Sequence, residues 1–237
     1  MVRIATHAAR HGARILVFAR APQPGRVKTR LIPALGAEAA CDIHCRLVER
    51  TLALTARADA TVELWLDGDP AHPAVAAWCR RYRLRVHRQH GADLGARMHR
   101  AIRHTLRSAD GALILGCDCP TLGLADLRAG LRALRTLDAV IAPARDGGYV
   151  MLGVSRPAQL LLRRMPWGTR HVLALTRRRL RASGWRYRQL RWQHDVDRPA
   201  DLERVVRDTG LAETVVYRSI PDWSDRLGQR ADERRRD

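Results

Sequence analysis

Apolar and polar positions alternate along this chain in two periods. Ile15 to Ala19, Ala112 to Leu115 and Ala139 to Ala142 are short apolar runs that stop at polar stretches bearing glycine or proline, so they read as buried strands. Ala112 to Leu115 has no polar position at all, the pattern of a central strand covered on both faces. Thr61 to Leu66 alternates and ends at the turn Asp67-Gly68-Asp69-Pro70, while Leu84 to His87, Val150 to Val154 and Arg188 to Leu190 complete the predicted strands.

Between them the period changes to that of a helix. Ala37 to Ala58 sets Ile43, Leu47 and Leu54 on one face and Asp42, Arg46, Glu49 and Arg50 on the other. Pro73 to Tyr82 predicts a short helix. Leu94, Met98, Ala101, Ile102 and Thr105 form the apolar stripe of the next, and Leu124, Leu127, Leu131 and Leu134 that of another. Helices near 157–164 and 169–183 flank the irregular link Met165-Pro166-Trp167-Gly168. A last one, opening at Pro199, carries Leu202, Val205 and Val206. No repeat and no linker interrupts this alternation of strand and helix. The pattern predicts an α/β single domain, a mostly parallel sheet with helices on both faces and right-handed crossovers. Its bounds are 14–210, with 1–13 and 211–237 as terminal extensions; the stretch after Gly210 has no clear period.

Composition changes this picture little. Apolar residues make up 46% of the 237, and with one phenylalanine the core must be built from Leu, Val, Ile and Ala. Five cysteines without a framework spacing argue against a disulfide scaffold. Cys41, His44 and Cys45 share a helical face but read as packing rather than metal ligands. Residues 1–13 lack the apolar core of a signal peptide, and no run approaches the roughly 20 residues of a membrane span, so a cytoplasmic protein is expected. The formal net charge is +19. Its arginines are spread over every predicted helix instead of forming one stripe, which points to attraction of small anionic substrates and away from nucleic acid.

One cation stands apart. Lys28 is the sole lysine; the other 42 basic side chains are arginine. It lies in a loop stiffened by Pro22 and Pro24 and freed at Gly25, which delivers Arg26, Lys28 and Arg30 just after the first strand. A compact ammonium on a flexible stem can follow a phosphate as a point charge. In a parallel sheet, ligands bind beyond the carboxyl ends of the strands. Lys28, Asp118 and Asp146 all lie in strand-end loops, so the fold should bring them together. Lys28 and Arg30 would hold phosphate. Asp118, with Asp197, would hold Mg²⁺ or Mn²⁺, which takes one or two carboxylates plus substrate phosphates. Gly147 and Gly148 would let a substrate approach backbone amides. Trp167, in its irregular link, would line the acceptor side. Asp195 and Asp197 could equally cap the helix at Pro199.

These residues fall into motifs. Phe18-Ala19-Arg20-Ala21-Pro22-Gln23-Pro24-Gly25-Arg26-Val27-Lys28-Thr29-Arg30-Leu31 resembles the signature of the DUF2064 proteins, bacterial relatives of the GT-A glycosyltransferases and of nucleotidyltransferases with the nucleotide-diphospho-sugar transferase fold. Gln89 to Met98 resembles that family's Q-x-G-x-D-L-G-x-R-M element, and Gly116 to Leu122 its G-x-D-x-P-x-L metal loop. Pro143 to Tyr149 resembles P-x-x-D-G-G-Y. Asp195 to Leu202 resembles D-V-D-T-P-x-D-L, with Arg198 where the family usually has threonine. The resemblance covers roughly residues 14–205. It implies a GT-A-like, Rossmann-like fold and a metal-dependent transferase with a nucleotide-linked donor, most simply a sugar nucleotide, and an unknown small-molecule acceptor. Nucleotidyl transfer with release of pyrophosphate is the first alternative, and a non-catalytic anion- or nucleic-acid-binding protein is the third reading, favoured if Asp118 and Asp146 did not converge with Lys28. It also implies catalytic roles for Asp118, Asp146 and Lys28, and substrate contacts from Arg20, Gly25, Lys28, Arg30, Gln89, Arg97, Gly147, Gly148, Tyr149 and Trp167.

Overall fold

The computed structural model describes residues 11–209. Along the chain run β1 (His11–Arg20), α1 (Ile32–Leu35), α2 (Ala37–Thr55), β2 (Val62–Asp67), α3 (Pro73–Tyr82), β3 (Arg85–Arg88), α4 (Leu94–Thr105), β4 (Ala109–Gly116), α5 (Leu124–Ala133), β5 (Ala139–Pro143), β6 (Tyr149–Val154), α6 (Gln159–Leu162), α7 (Val172–Ala182), β7 (Tyr187–Gln189) and α8 (Pro199–Thr209). The strands form one sheet in the order β3-β2-β1-β4-β6-β5-β7. All pairs are parallel except those of β6, which runs antiparallel to both β4 and β5. The reason lies in the connection. Only residues 144–148 separate β5 from β6, too few for a parallel crossover, so the two form a hairpin.

Alternation along the central strands sorts side chains onto two faces. Ile15, Val17, Leu113 and Leu115 pack on one side with Val48 and Leu52 of α2, Trp78 of α3 and Leu127 of α5. Leu16, Ala112, Ile114 and Leu152 pack on the other with Met98 and Ile102 of α4, Leu161 of α6 and Leu173 and Leu180 of α7. This is the layered α/β domain that the pattern predicts.

The differences are local. β1 begins at His11 and not Ile15, because residues 11–14 pair with Ala109–Ala112 of β4 although they carry no apolar run. The expected 1–13 and 211–237 extensions otherwise lie outside the described residues. The helix expected at 157–164 is held to 159–162, since Arg163 is extended and Arg164 left-handed. The one expected at 169–183 spans 172–182. A short helix, α1, has Pro33 in its first turn and closes at Gly36. Among the described residues no helix is long and apolar enough to cross a membrane.

One small cluster matters for the site. Leu31, Ala40, Ile43 and Leu47 bury Val196, Leu202 and Val205. This pins the start of α8 onto the loop after β1, far away in sequence. The segment before α8 is also fixed by backbone bonds from Gln193 N–H to the Pro143 carbonyl and from Val196 N–H to the Asp118 carbonyl, each 2.8 Å.

Candidate active site

The chain leaves β1 toward β2 on one side and reaches β4 from β3 on the other, so the loops after β1 and β4 diverge and open a crevice at their carboxyl ends. The cleft there has a volume of about 620 Å³. Its lining includes Arg20, Lys28, Arg30, His44, Asp67, Gln89, Arg97, Asp118, Asp146 and Asp197. A broader hollow of about 1000 Å³ lies at the opposite end of the sheet, around Arg14, Arg128 and Arg135, and none of the strand-end motifs reaches it.

The loop after β1 is held by its apolar residues. Val27 and Leu31 are buried, and that fixes the intervening backbone. Lys28 takes a left-handed conformation, φ 46°, which costs a non-glycine residue about 1–2 kcal/mol. Its side chain is consequently turned inward, with 4% exposure against 49% for Asp118. The ammonium lies 2.6 Å from Asp118 Oδ1 and 3.5 Å from Asp197 Oδ1, and donates to the Val196 carbonyl at 2.5 Å. Arg30 contacts the other oxygen of Asp197 at 3.1 Å. Lys28 and Asp118, expected to act separately on phosphate and metal, are joined as an ion pair, because the same loops that converge on the crevice leave Lys28 no solvent to point into. Desolvation pushes the Asp118 carboxyl up, and the Lys28 ammonium beside it more than offsets this, holding it below its ordinary value.

Asp197 is available for this cluster because another residue caps the helix. Asp201 accepts the N–H groups of Asp197 and Arg198, at 3.2 and 2.8 Å. The capping role considered for Asp195 and Asp197 therefore falls to Asp201. Asp195 stands apart from Lys28. Burial, with Asp146 nearby, pushes its carboxyl up to about 7.

The remaining expected residues divide into two groups. Arg97 contacts Asp67 at 2.7 Å, and Arg20 approaches the same carboxylate oxygen at 3.7 Å. Gln89 donates to the carbonyls of Ala19 and Trp65, bracing the ends of β1 and β2 at the cleft floor. Gly25, φ 81°, supplies the turn that lets the loop double back. Gly148 donates its N–H to Asp146 Oδ1 at 2.8 Å, so that amide is already used within the loop. Gly147 faces α7: a Cβ there would lie 2.3 Å from the Arg170 carbonyl oxygen, and its φ is 93°. Packing against Arg170 is what demands a glycine. Gly147→Ala should cost at least about 3 kcal/mol, lowering the melting temperature by roughly 6–12 °C in a calorimetric scan.

Tyr149 and Trp167 meet edge to face, with centroids 6.3 Å apart, and line a second cavity of about 230 Å³ that adjoins the first. Asp146 and Gly116 border both cavities. His44 and Asp67, which the sequence motifs do not single out, also line the cleft. His44 bonds the Arg20 carbonyl at 3.0 Å through Nε2, and burial holds its imidazole below the ordinary value. Its signal was misleading, since a histidine between Cys41 and Cys45 reads as core, and both cysteines do pack there unpaired. Asp67 ends β2 at the carboxyl edge; its position after an apolar strand was the available signal. Among the described residues no three of His, Cys, Asp and Glu converge as a ready-made metal site.

Comparison with solved structures supports the same architecture. A protein of Desulfovibrio desulfuricans G20 assigned as a nucleotide-diphospho-sugar transferase superposes with TM-score 0.81 and 27% identity, covering 92% of this chain and 97% of its own. Rv0371c of Mycobacterium tuberculosis H37Rv, in complex with manganese, gives TM-score 0.52 and 21% identity over 84% of this chain and all of its own. CMP:2-keto-3-deoxy-manno-octonic acid synthetase complexed with CTP gives 0.52 and 14% over 82% and 97%. The chain therefore has the nucleotide-diphospho-sugar transferase fold. No curated protein sequence matches it. The family model described as "Uncharacterized protein conserved in bacteria (DUF2064)" matches residues 51–169, half of the chain, including the loops of Gln89, Asp118 and Asp146. This chain belongs to the DUF2064 family.

Proposed function

We propose that this transferase moves a group from a nucleotide-linked donor, a sugar nucleotide, to a small acceptor. The observation that carries the proposal is the Lys28 ammonium held between Asp118 and Asp197 in a strand-end cleft. The cleft volume, about 620 Å³, is of the size that holds a nucleotide-sized ligand. Arg20 and Arg97 share one carboxylate, Asp67, so that wall keeps a positive excess toward an anionic donor.

Asp118 and Asp197 fit a divalent cation. Two hard oxygen donors already converge on one positive charge, and Mg²⁺ or Mn²⁺ is commonly held by one or two carboxylates with substrate phosphates. Bound there, the ion would neutralise charge on the leaving phosphate. Lys28 and Arg30 then hold phosphate oxygens, Gln89 keeps the floor of the cleft in register, and Asp146 stands where donor and acceptor cavities meet. Trp167 forms the acceptor wall. The manganese complex of Rv0371c supports the metal assignment by likeness of fold.

Nucleotidyl transfer is the second reading, favoured by the fold shared with the CTP-bound synthetase. The two differ in their products. Sugar transfer releases the nucleotide of the donor; nucleotidyl transfer releases pyrophosphate. A thermal-shift screen of sugar nucleotides and nucleoside triphosphates, with and without Mn²⁺, should give metal-dependent stabilisation by one class. Phosphate-specific detection of the products then separates the two reactions. No stabilisation by any nucleotide would defeat both. With the other tryptophans replaced by phenylalanine, Trp167 fluorescence should change when an acceptor joins the donor-bound protein; no change with any acceptor that binds would remove Trp167 from the acceptor wall.

A further inference from the structure

The two adjoining cavities have opposite electrostatic character. In a chain with 43 lysines and arginines, the 230 Å³ slot beside the donor cleft is lined, among the described residues, by none of them, nor by histidine. Its walls are mainly apolar, with Phe18, Leu152, Trp167 and Val172 beside Tyr149 and Thr169, and its acidic groups are Asp146 and Asp195. The donor cleft, by contrast, draws Arg20, Lys28, Arg30 and Arg97. The indole N–H of Trp167 and the hydroxyl of Tyr149 are buried without a hydrogen-bond partner among the described residues.

Resting on the transferase reading above, we infer that the acceptor is a small molecule with an apolar body and no negative charge, presenting a hydroxyl or amine at Asp146 and Asp195. Size follows from volume: a cavity of about 150 Å³ accepts benzene, so this slot admits a body somewhat larger than one ring. Charge follows from the lining. A phosphate or carboxylate entering here meets the carboxylate of Asp146, the buried carboxyl of Asp195 and no compensating cation, and a buried charge without a counterion is strongly unfavourable. Orientation follows from the shared border. Asp146 and Gly116 line both cavities, so a polar group at the mouth of the slot faces the donor. Transfer then forms one bond from the acceptor oxygen or nitrogen to the donated group and breaks that group's bond to the leaving phosphate, which takes the electron pair. The acceptor's proton passes to the Asp146 carboxylate, which borders both cavities. Acceptors such as phosphorylated or carboxylic acids are thereby excluded, although the strongly basic chain as a whole would attract them.

The test uses the full chain with saturating UDP and Mn²⁺, and three probes with one aromatic body: 2-phenylethanol, 2-phenylethylamine and 3-phenylpropionate. Binding is followed by calorimetry and by tryptophan fluorescence. The alcohol and the amine should bind at least tenfold more tightly than the carboxylate. In the double variant Asp146→Asn/Asp195→Asn, judged folded by its melting curve, that discrimination should shrink to about threefold or less. Equal or tighter binding of the carboxylate by the wild type overturns the inference, as does failure of all three probes to bind; neither result depends on the variant. UDP and CTP titrations run alongside separate the two levels. Loss of all nucleotide binding defeats the donor reading itself, whereas nucleotide binding with the wrong acceptor preference defeats this inference alone.

Discussion

Asp118→Asn is expected to remove at least about three decades of transferase activity. That is the scale of several kcal/mol of electrostatic stabilisation lost at a leaving phosphate. The substitution keeps the side-chain shape at the end of β4 but removes the charge that would balance a divalent cation. Stabilisation of the wild type by nucleotide with Mn²⁺ should be about 2.7 kcal/mol at a hundredfold excess over the dissociation constant, and should vanish in the variant. The structure adds a cost that the strand-end position alone does not suggest. Asp118 is the nearest counterion of the buried Lys28, so the unliganded variant should lose about 1–2 kcal/mol, discounted because half of the carboxylate is exposed. The pH dependence has a definite sign. A carboxyl held below its ordinary value stabilises the fold above that value and loses the contribution as pH falls through the folded one. The melting-temperature gap between wild type and Asp118→Asn should therefore be full at pH 7 and narrow progressively once pH falls below about 4. A gap that does not narrow at all on acidification would mean the ion pair is not its cause.

Lys28→Ala should act in opposite directions on two ligands. Nucleotide affinity should fall by about 1.5–3 kcal/mol, roughly ten- to 150-fold, through loss of a charge-assisted phosphate contact. Affinity for Mn²⁺ alone should rise, because the ammonium that competes for Asp118 and Asp197 is gone. Calorimetric titration of each ligand separately reads both. A mere scaffold role for Lys28 would weaken the two together, and unchanged affinity for both would leave the lysine outside the site.

Much of this was legible before the structure. The apolar runs at Ile15 and Ala112 located the central strands because both of their faces are covered, and the loops after them carried Lys28 and Asp118 to one crevice. What the sequence could not show depends on contacts distant along the chain. The pairing of Lys28 with Asp197 needs Val196, Leu202 and Val205 to dock on Leu31 and Ile43, and nothing local to either segment encodes that. The cap of α8 is likewise settled only by the folded geometry, since Asp197 and Asp201 are both in reach of the helix start. The sense of β6 was different: five residues between two strands already imply a hairpin, but short apolar runs alone do not declare direction. Gly147 shows a motif residue whose nearest physical reason is a backbone at the other side of a loop, the Arg170 carbonyl, which no pattern of glycines reveals.

The central claim is that the Lys28–Asp118–Asp197 cluster receives the donor phosphates and their metal. Crystals grown with Mn²⁺ and a sugar nucleotide, measured at the manganese absorption edge, test it most directly. The account predicts an anomalous peak at the Asp118 and Asp197 carboxylates, with the Lys28 ammonium withdrawn from between them onto a donor phosphate. A bound nucleotide with Lys28 still bridging both aspartates, or manganese at another set of ligands, would contradict it.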